Sequence, residues 1–257
     1  MISHDQHVHL QFDPRAAAYL ASNVHASGPD LQAALALVQS LSRRPARILD
    51  LGCGAGHLAF ALSSAADEVT ACDPAEGMLA TVQQAAHDRG IANVGTAQAH
   101  AEALPFAGRH FDIVATRYSA HHWANVPEAL REARRVLVDG GYLLVSDVMG
   151  ATLPLVDTHL QAMEVLRDPS HVRNYSIQEW QALLARAHFE PEYFKLWPTR
   201  IDAATWVERM CTPPESVAAI RRLQDGAPAE VARALAFEPD GSFTVKTGLY
   251  WAQKLIP

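Results

Sequence analysis

Residues 47–57 place a carboxylate beside closely spaced glycines. The stretch reads Arg-Ile-Leu-Asp-Leu-Gly-Cys-Gly-Ala-Gly-His, so Asp50 is followed by Gly52, Gly54 and Gly56 at every second position. Glycine permits backbone angles that a Cβ forbids, and it lets the main chain approach a ligand closely. A helix that begins after such a turn offers free N–H groups. The pattern predicts a strand–turn–helix unit around a small polar ligand, with Asp50 suited to a cationic group.

The glycine spacing separates two classes of ligand. A dinucleotide-binding turn has the pattern Gly-x-Gly-x-x-Gly. Counted from Gly52, the sixth position is His57, and a count from Gly54 also fails to reach a glycine. The spacing therefore disfavours a nicotinamide-dependent oxidoreductase, which stays open as an alternative. Glycine-rich turns without any ligand also match short patterns of this kind, so a second signal is needed.

A second acid follows at a meaningful distance. Asp73 ends a short apolar stretch over 68–72 and lies 21 positions after Gly52. In open α/β nucleotide-binding folds, an acid about 20 residues on accepts hydrogen bonds from ribose hydroxyls. Asp73 and Pro74 also suit the start of a helix, because proline favours the first helical position. The two roles are compatible.

The elements that must position these residues alternate along the chain. Strands are predicted at 47–51, 68–72, 93–97, 111–116 and 142–147, and helices at 31–42, 58–65, 75–90 and 126–137. Beyond residue 147 the pattern predicts a helix over 155–167, a helix from the capping box Ser176–Glu179 to 187, a strand over 190–197, two or three short helices within 203–236 and a last strand over 242–254. The fold class is therefore α/β: a Rossmann-like, doubly wound, mostly parallel seven-stranded sheet with an antiparallel C-terminal strand, plus a helical cap.

Composition narrows the function classes. The chain has 257 residues, of which 49% are hydrophobic and 19% charged, and its net charge is −7. That length suffices for one large α/β core. The acidic balance without a basic run argues against nucleic-acid binding as the main activity. No apolar run reaches the roughly 18 residues of a membrane span. Three cysteines without a Cys-x-x-Cys pair and no secretory signal predict a reduced, cytoplasmic location.

Five sequence blocks together resemble the class I S-adenosylmethionine (SAM) dependent methyltransferases, the superfamily that includes ubiquinone and menaquinone biosynthesis enzymes. The blocks lie at 48–57, 69–73 with Met78, 101–106, 111–116 and 135–142. Residues 117–123 and 167–173 are similar to a poorly characterised bacterial subgroup. The resemblance implies one domain over 1–257, with a SAM-binding core at 46–147 and cap helices at 151–175 and 200–240.

The resemblance also implies roles at the cofactor, with S-adenosylhomocysteine (SAH) as the product. Gly52, Gly54 and Gly56 would line the methionine part of SAM, with Asp50 near its amino group. Asp73 would hold the ribose hydroxyls. Tyr19, in an N-terminal segment that folds over the cofactor in many relatives, would touch the methionine end, although packing against the sheet is its alternative.

The adenine end is implied in the same way. Pro74 and Met78 would flank the ring, and helix-core packing is the alternative for Met78. Ala101 and Glu102 would lie at the adenine edge. Related sequences often carry an aspartate before this Ala-Glu pair, and the position is His100 here. The contact with the adenine amino group is therefore in question.

Methyl transfer from a sulfonium needs alignment more than acid–base chemistry. A base is needed only when the accepting atom must lose a proton, and histidine suits that task. His121 and His122 follow the fourth strand, and because they are adjacent we expect at most one to face the site. Arg117, at the end of that strand, is expected near the sulfonium and the substrate entrance, with a surface ion pair as its alternative. These three residues are the catalytic candidates.

The sequence leaves the acceptor open. We expect a small or medium-sized metabolite methylated on oxygen, nitrogen or carbon, and family analogy suggests a quinone-like, polyketide or aromatic hydroxyl compound. No metal site is expected, because His4, His7 and His9 lack a carboxylate or thiolate at matching spacing. A SAM-binding protein without catalysis is the remaining alternative. The oligomeric state is undetermined, with a homodimer as one option.

Overall fold

A seven-stranded sheet forms the centre of this computed structural model, which describes residues 2–20 and 28–256. The strands are β1 (Arg47–Leu51), β2 (Glu68–Asp73), β3 (Val94–Gln98), β4 (Phe111–Arg117), β5 (Leu137–Met149), β6 (Phe189–Ile201) and β7 (Phe243–Lys254). Their order is β3-β2-β1-β4-β5-β7-β6. The pairs along β3-β2-β1-β4-β5 are parallel, whereas β7 runs antiparallel to β5 and β6. The predicted fold class is confirmed.

Helices cover both faces of the sheet. One face carries α3 (Pro29–Gln39), α4 (His57–Ser63) and α5 (Glu76–Asp88), and the other carries α6 (Val126–Val136) and α8 (Ile177–Arg186). The central strands β1 and β4 are buried along almost their whole length. Parallel strands covered on both faces have such continuous apolar runs. A core layer therefore lies on each side of the sheet.

Local sequence explains where the covering helices begin and how they face the core. In α6, buried residues recur at three- and four-residue spacing, namely Val126, Ala129, Leu130, Ala133 and Val136. The Asn125 side chain accepts the Glu128 N–H at its start. Helix α8 begins at the predicted capping box, in which Ser176 and Glu179 satisfy each other's backbone N–H.

The remaining helices lie outside the sheet repeat. At the N-terminus these are α1 (His4–Phe12), a 3₁₀ turn (Asp13–Arg15) and α2 (Ala16–Leu20). The cap consists of α7 (Pro154–Arg167), α9 (Ala203–Arg209), α10 (Pro214–Asp225) and α11 (Ala229–Ala234). Leu160, Met163, Trp206 and Ile220 of the cap pack against Phe243 of β7. The cap is thus attached to the sheet by its own apolar cluster.

Two predicted boundaries differ from the structure by four residues or more. Strand β5 begins at Leu137, five residues before its predicted start, where Leu137 pairs with Phe111 of β4. Strand β6 extends to Ile201, four residues past its predicted end, because it pairs with β7 as far as Phe243. In both cases pairing with a neighbouring strand extends the strand beyond its local sequence signal. Within residues 2–20 and 28–256, no helix combines the length and the apolar character that crossing a membrane requires.

Candidate functional site

A cleft at the carboxyl ends of β1, β2 and β4 holds the glycine-rich turn. It encloses about 950 Å³, including the open space at its mouth, and is termed the first cavity. In open α/β sheets, ligands bind at this edge. Of the residues predicted at the cofactor, the cavity is lined by Tyr19, Asp50, Gly52, Gly54, Asp73, Pro74, Met78, Glu102 and Arg117. Two predicted residues, Gly56 and Ala101, do not line it.

Asp50 is a buried carboxylate in the wall of the first cavity. Only 1% of the residue is exposed, and one oxygen accepts the N–H of Ala59 at 2.9 Å, in the first turn of α4. Burial, aided by the negative charge of Asp73, raises the pKa of Asp50 from 3.8 to about 7. Arg117 acts in the opposite direction. A cationic ligand beside Asp50 would remove much of this burial penalty.

Asp73 faces the same space from the end of β2. Its two oxygens accept the N–H groups of Gly54 at 2.9 Å and Ala75 at 3.0 Å. Burial raises its pKa to about 6 despite these two bonds. The carboxylate therefore fixes the turn and the start of α5 while it lines the cavity. The two roles expected from the sequence are compatible in this geometry.

The three glycines differ in what they do. All have positive φ angles, 69° at Gly52, 49° at Gly54 and 85° at Gly56. A Cβ on Gly52 would lie 1.8 Å from the Ser119 hydroxyl, whereas a Cβ on Gly54 would meet no protein atom within 4 Å. Gly56 packs against Val82 and ends the turn, away from the cavity. Its expected place beside the ligand is corrected to a packing role.

The expected adenine end has one residue that does not line the cavity. Pro74 and Met78 line one wall, and Met78 is buried against Ala16 and Ala75. Glu102 also lines the cavity, and it accepts the Asn125 N–H at 3.0 Å. Ala101 is buried in the core beneath α6 and does not reach the cavity with its side chain.

Helix α1 covers the mouth of the first cavity. None of its residues is fully buried, so it rests on the protein by a few contacts. His4 Nε2 lies 2.8 Å from the His122 carbonyl oxygen, and the Phe12 ring packs edge-on against the His122 ring at 5.0 Å. Asp13 accepts the Gly77 N–H at 3.0 Å. The N-terminal segment thus forms a cover across the cavity.

Arg117 lines the first cavity as one member of a buried ion pair. Its Nε donates to an Asp30 oxygen at 2.5 Å and both side chains are buried. The Ser146 hydroxyl donates to the same carboxylate at 3.2 Å. The ion pair ties β4 to α3 at the wall of the cavity. The ion pair named as the alternative for Arg117 is present but is buried, and the expected role beside the sulfonium stays a prediction.

A second cavity of about 660 Å³ adjoins the first. Phe12, Tyr19, Tyr118 and His122 line both cavities. Beyond this shared wall the second cavity extends between β6, β7 and the cap helices α7 and α9, and is lined there by His121, Val148, Glu164, Arg167, Asn174, Thr199, Ile201, Trp206, Arg209 and Thr247. Ligands bound in the two cavities would therefore lie against the same four side chains.

His121 and Asp147 form a dyad in the second cavity. His121 Nδ1 lies 2.6 Å from one Asp147 oxygen, and the other oxygen accepts the His121 backbone N–H at 3.2 Å. Burial lowers the pKa of His121, but the charge and hydrogen bond of Asp147 outweigh it, so the net shift is upward. Nε2 has no hydrogen-bond partner in the described part of the chain. This nitrogen is placed to accept a proton.

His122 has the opposite electrostatics. Burial and the neighbouring His121 lower its pKa to about 4. Its Nδ1 lies 3.1 Å from the Ser170 carbonyl oxygen. Both histidines line the second cavity, contrary to the expectation that at most one would, because they lie in a 3₁₀ turn (Ala120–His122) instead of a strand or an α-helix. His121 is the better base of the two, since a base with a pKa near 4 accepts protons weakly.

Comparisons with known proteins identify the family. The model for "Methyltransferase domain" matches residues 49–145. The uncharacterised protein YafE of Escherichia coli is 44% identical over 75% of this chain and 93% of its own length. The uncharacterised methyltransferase YcgJ of Bacillus subtilis is 36% identical over 79% of this chain and 80% of its own length. The chain belongs to the class I SAM-dependent methyltransferases.

A solved structure agrees with this assignment. The crystal structure of YcgJ from Bacillus subtilis has a TM-score of 0.81 and 32% identity, and the match covers 88% of this methyltransferase and all of that chain. The resemblance to quinone-biosynthesis enzymes is shorter. The C-methyltransferase UbiE of Shewanella pealeana is 38% identical over 42% of this chain and 45% of its own length. Its match is thus confined to less than half of either protein.

The first cavity of this methyltransferase fits SAM, the cofactor of the family. Asp50 and Asp73 are buried carboxylates whose raised pKa values show that local positive charge does not offset their burial. SAM presents an ammonium group and two ribose hydroxyls, which are donors for two such acceptors. The space beside Gly54 is open to the cavity, so the backbone can be approached closely there. Within residues 2–20 and 28–256, no cluster of histidine, cysteine and acidic side chains could hold a metal ion.

No specific role could be assigned from the sequence to several residues of the two cavities, although Ser119, Trp123 and Arg167 lie in the segments that resemble the bacterial subgroup. Ser119 accepts the Trp123 indole N–H at 3.1 Å beneath Gly52, and both side chains line the first cavity. Arg167 and Arg209 end two separate cap helices and meet only in the second cavity. Only the folded chain shows that these side chains line a cavity.

Proposed function

We propose that this protein transfers a methyl group from SAM in the first cavity to a small or medium-sized metabolite in the second. The accepting atom is an oxygen, nitrogen or carbon. The observation that carries this proposal is the shared wall of Phe12, Tyr19, Tyr118 and His122, which joins a cofactor-sized cavity to a second one. A blocked second cavity would favour a SAM-binding protein without catalysis, and this one has a volume of about 660 Å³.

On this proposal, different residues of the first cavity bind different parts of SAM. Asp50 receives the ammonium group and Asp73 the ribose hydroxyls. Pro74, Met78 and Glu102 surround the adenine. When bound, SAM supplies a methyl group already activated on a sulfonium. The chain mainly aligns the acceptor with that methyl group, and such orientation contributes roughly 7–11 kcal/mol in well-oriented reactions.

The acceptor lies on the other side of the shared wall. There the His121–Asp147 dyad takes a proton from an acceptor that must lose one, because Nε2 is unengaged in the described residues and Asp147 keeps Nδ1 hydrogen-bonded. His122 lines both cavities and contributes an uncharged ring to the wall that they share. Helix α1 excludes water from the first cavity once SAM is bound.

Thermal unfolding tests the cofactor part of this proposal. A ligand that binds only the folded state stabilises it by about 2.7 kcal/mol at a hundredfold excess over its dissociation constant. We expect the melting temperature to rise with SAM and with SAH, and to stay unchanged with NADH. A rise with NADH alone would instead support the oxidoreductase alternative.

A methyl-transfer screen tests the catalytic part. SAH release is measured with a panel of small hydroxyl, amine and carbon-acid acceptors, using the wild type and His121→Ala. We expect turnover that falls strongly in the variant, while SAH affinity is unchanged because His121 does not line the first cavity. SAM binding without turnover on any acceptor would favour the non-catalytic alternative.

The remaining sequence-based expectations belong to the same proposal. They are a single domain over residues 1–257, a small-molecule acceptor in place of nucleic acid, the absence of membrane insertion, and a cytoplasmic location. The acidic net charge of −7 supports the exclusion of nucleic acid. Size-exclusion chromatography with light scattering determines whether the protein is a monomer or a homodimer.

A further inference from the structure

Two arginines line the second cavity. Arg167 is the last residue of α7, and Arg209 is the last residue of α9. Both line the cavity beside Trp206 and Ile201. A cation is favoured in the last turn of a helix, so the helix dipole accounts for the position of each arginine in its own helix. It does not account for two guanidinium groups directed into one partly apolar cavity.

Arg167 is buried and only partly engaged. It is 7% exposed, its Nε donates to the Trp206 carbonyl at 3.1 Å, and its guanidinium lies 5.2 Å from the Trp206 ring centre. Among the residues that the structure describes, its two terminal nitrogens have no hydrogen-bond or ion-pair partner. A guanidinium has five N–H donors in a fixed fork. Arg167 therefore presents most of its donors to the cavity.

Arg209 has an orphaned donor in the same place. Its Nε is buried and has no hydrogen-bond partner in the described part of the chain. The guanidinium lies 5.8 Å from the Tyr19 ring centre, close to the wall shared with the first cavity. Burial, and then the charge of Arg167, lower the pKa of Arg209. Buried donors are normally satisfied, so this one lacks an acceptor that a ligand could supply.

One acid, Glu164, lines this cavity beside the two arginines. Glu164 forms no ion pair within 4.0 Å with Arg167 or Arg209 among the described residues, and its burial raises its own pKa. Asp147 is engaged with His121. Asp168 lies behind the wall, where Ser170 donates to it at 2.6 Å. The lining of the cavity therefore carries two guanidinium groups and one carboxylate.

We propose that the second cavity takes a small organic anion, with its carboxylate or phosphate group held by Arg167 and Arg209 and its apolar part against Trp206 and Ile201. Charge-assisted, bidentate bonds to such groups are the strong interactions of arginine. This inference rests on the proposed function, in which the same molecule is the methyl acceptor. It names the acceptor as an anion whose nucleophilic atom points toward the shared wall and His121.

The test follows the arginine side-chain Nε–H signals by NMR in the isotope-labelled full chain saturated with SAH. Benzoate and phenyl phosphate are the anionic probes, and benzamide is the neutral probe of nearly the same shape. We expect the signals of Arg167 and Arg209 to shift saturably with an anion in the millimolar range, and not with benzamide. The probe that binds more tightly tells a carboxylate from a phosphate ligand.

Substitutions locate the site. Arg209→Met should weaken binding of the tighter anion at least about tenfold, which is about 1.4 kcal/mol. Arg167→Lys, which keeps the charge but loses the fork, should weaken it by less. Arg222→Met, at an exposed position of α10, is the matched control and should leave binding unchanged. Unchanged anion binding in Arg209→Met would overturn the proposal, as would equal shifts with benzamide or no shift with either anion.

The outcome is separable from the proposed function. SAH binding is measured first, by calorimetry. If SAH does not bind, the same anion titration on the unliganded chain still tests the arginine pair. If the anion binds but no acceptor is methylated, the proposed reaction fails while the anion site stands.

Discussion

Replacing Asp50 with asparagine tests the electrostatic basis of the first cavity. The change removes a buried charge but keeps an oxygen that can accept the Ala59 N–H. The pKa of Asp50 is raised from 3.8 to about 7, and each pKa unit corresponds to about 1.36 kcal/mol. The ionised carboxylate therefore destabilises the unliganded protein by about 4 kcal/mol at most. We expect Asp50→Asn to be more stable than the wild type without ligand.

The pH dependence has a defined sign. Because the folded-state pKa is raised, the penalty is absent below pH 4, where the carboxyl group is protonated in both states. It grows as the pH rises from about 4 to about 7 and is complete above that. The stability advantage of Asp50→Asn should therefore be largest at pH 8 and vanish toward pH 4. Denaturant unfolding followed by tryptophan fluorescence measures it.

Cofactor affinity should change in the opposite direction. The SAM ammonium group stabilises the ionised carboxylate, so binding releases a proton when Asp50 is protonated beforehand. Wild-type affinity for SAH should weaken up to about tenfold per pH unit below about pH 7, since one proton is linked to binding. In Asp50→Asn this dependence should be flatter and the affinity lower at every pH. Calorimetry across pH 5–8 measures both effects.

Two results would refute the reasoning. One is an Asp50→Asn protein that is less stable than the wild type at pH 8. The other is a wild-type SAH affinity that does not change between pH 8 and pH 6. Asp67→Asn is the control, because Asp67 is exposed and pairs with Arg44 at the surface. Its stability should stay within about 0.5 kcal/mol of the wild type at every pH.

Three further predictions concern neighbouring residues. Asp73→Asn should weaken SAH binding by about 1.5–3 kcal/mol, the range of a hydrogen bond to a charged group, and calorimetry would show no change if the ribose assignment is wrong. Gly54→Ala should destabilise the fold by only about 1–2 kcal/mol, the cost of a residue in the left-handed conformation, while it weakens SAH binding. Gly52→Ala should destabilise the fold far more, because its Cβ would meet Ser119. Equal melting temperatures of the two variants would contradict this contrast. For an acceptor that loses a proton, His121→Ala should lower kcat roughly 10²–10⁴-fold. Asp147→Asn should move the acidic limb of the pH–rate profile to lower pH, because Asp147 raises the pKa of His121. An unmoved limb would exclude His121 as the base.

The fold could be predicted because its signals are local and repeated. The apolar runs of β1 and β4, the stripe of α6 and the Ser176–Glu179 capping box each specify an element within a few residues. Alternation of such elements leaves a doubly wound sheet as the natural arrangement. The predictions failed at the start of β5, where Leu137 already pairs with Phe111 of β4, and beyond residue 197, where β6 continues to pair with β7.

The part of the first cavity that could be predicted from residue spacing lies in residues 50–73. The turn after β1 and the acid at the end of β2 are parts of neighbouring parallel strands, so their spacing in sequence determines their meeting in space. Gly56 shows where this reasoning ends. Gly56 continues the spacing of Gly52 and Gly54, but a Cβ at Gly56 would meet Val82 of α5 and Phe60 of α4, and the residue does not line the cavity.

Only the tertiary structure decided the groups that meet from distant segments. Asp30 reaches Arg117 across 87 positions and holds this catalytic candidate in a buried ion pair. Asp147 raises the pKa of His121 while His121 lowers that of its neighbour His122, so two adjacent histidines acquire different chemistry. Arg167 and Arg209 become one feature because α7 and α9 end at the same cavity. Local sequence determines backbone conformation through short-range sterics and periodicity, whereas charge states and pockets depend on burial and on through-space distances that only the packed chain sets.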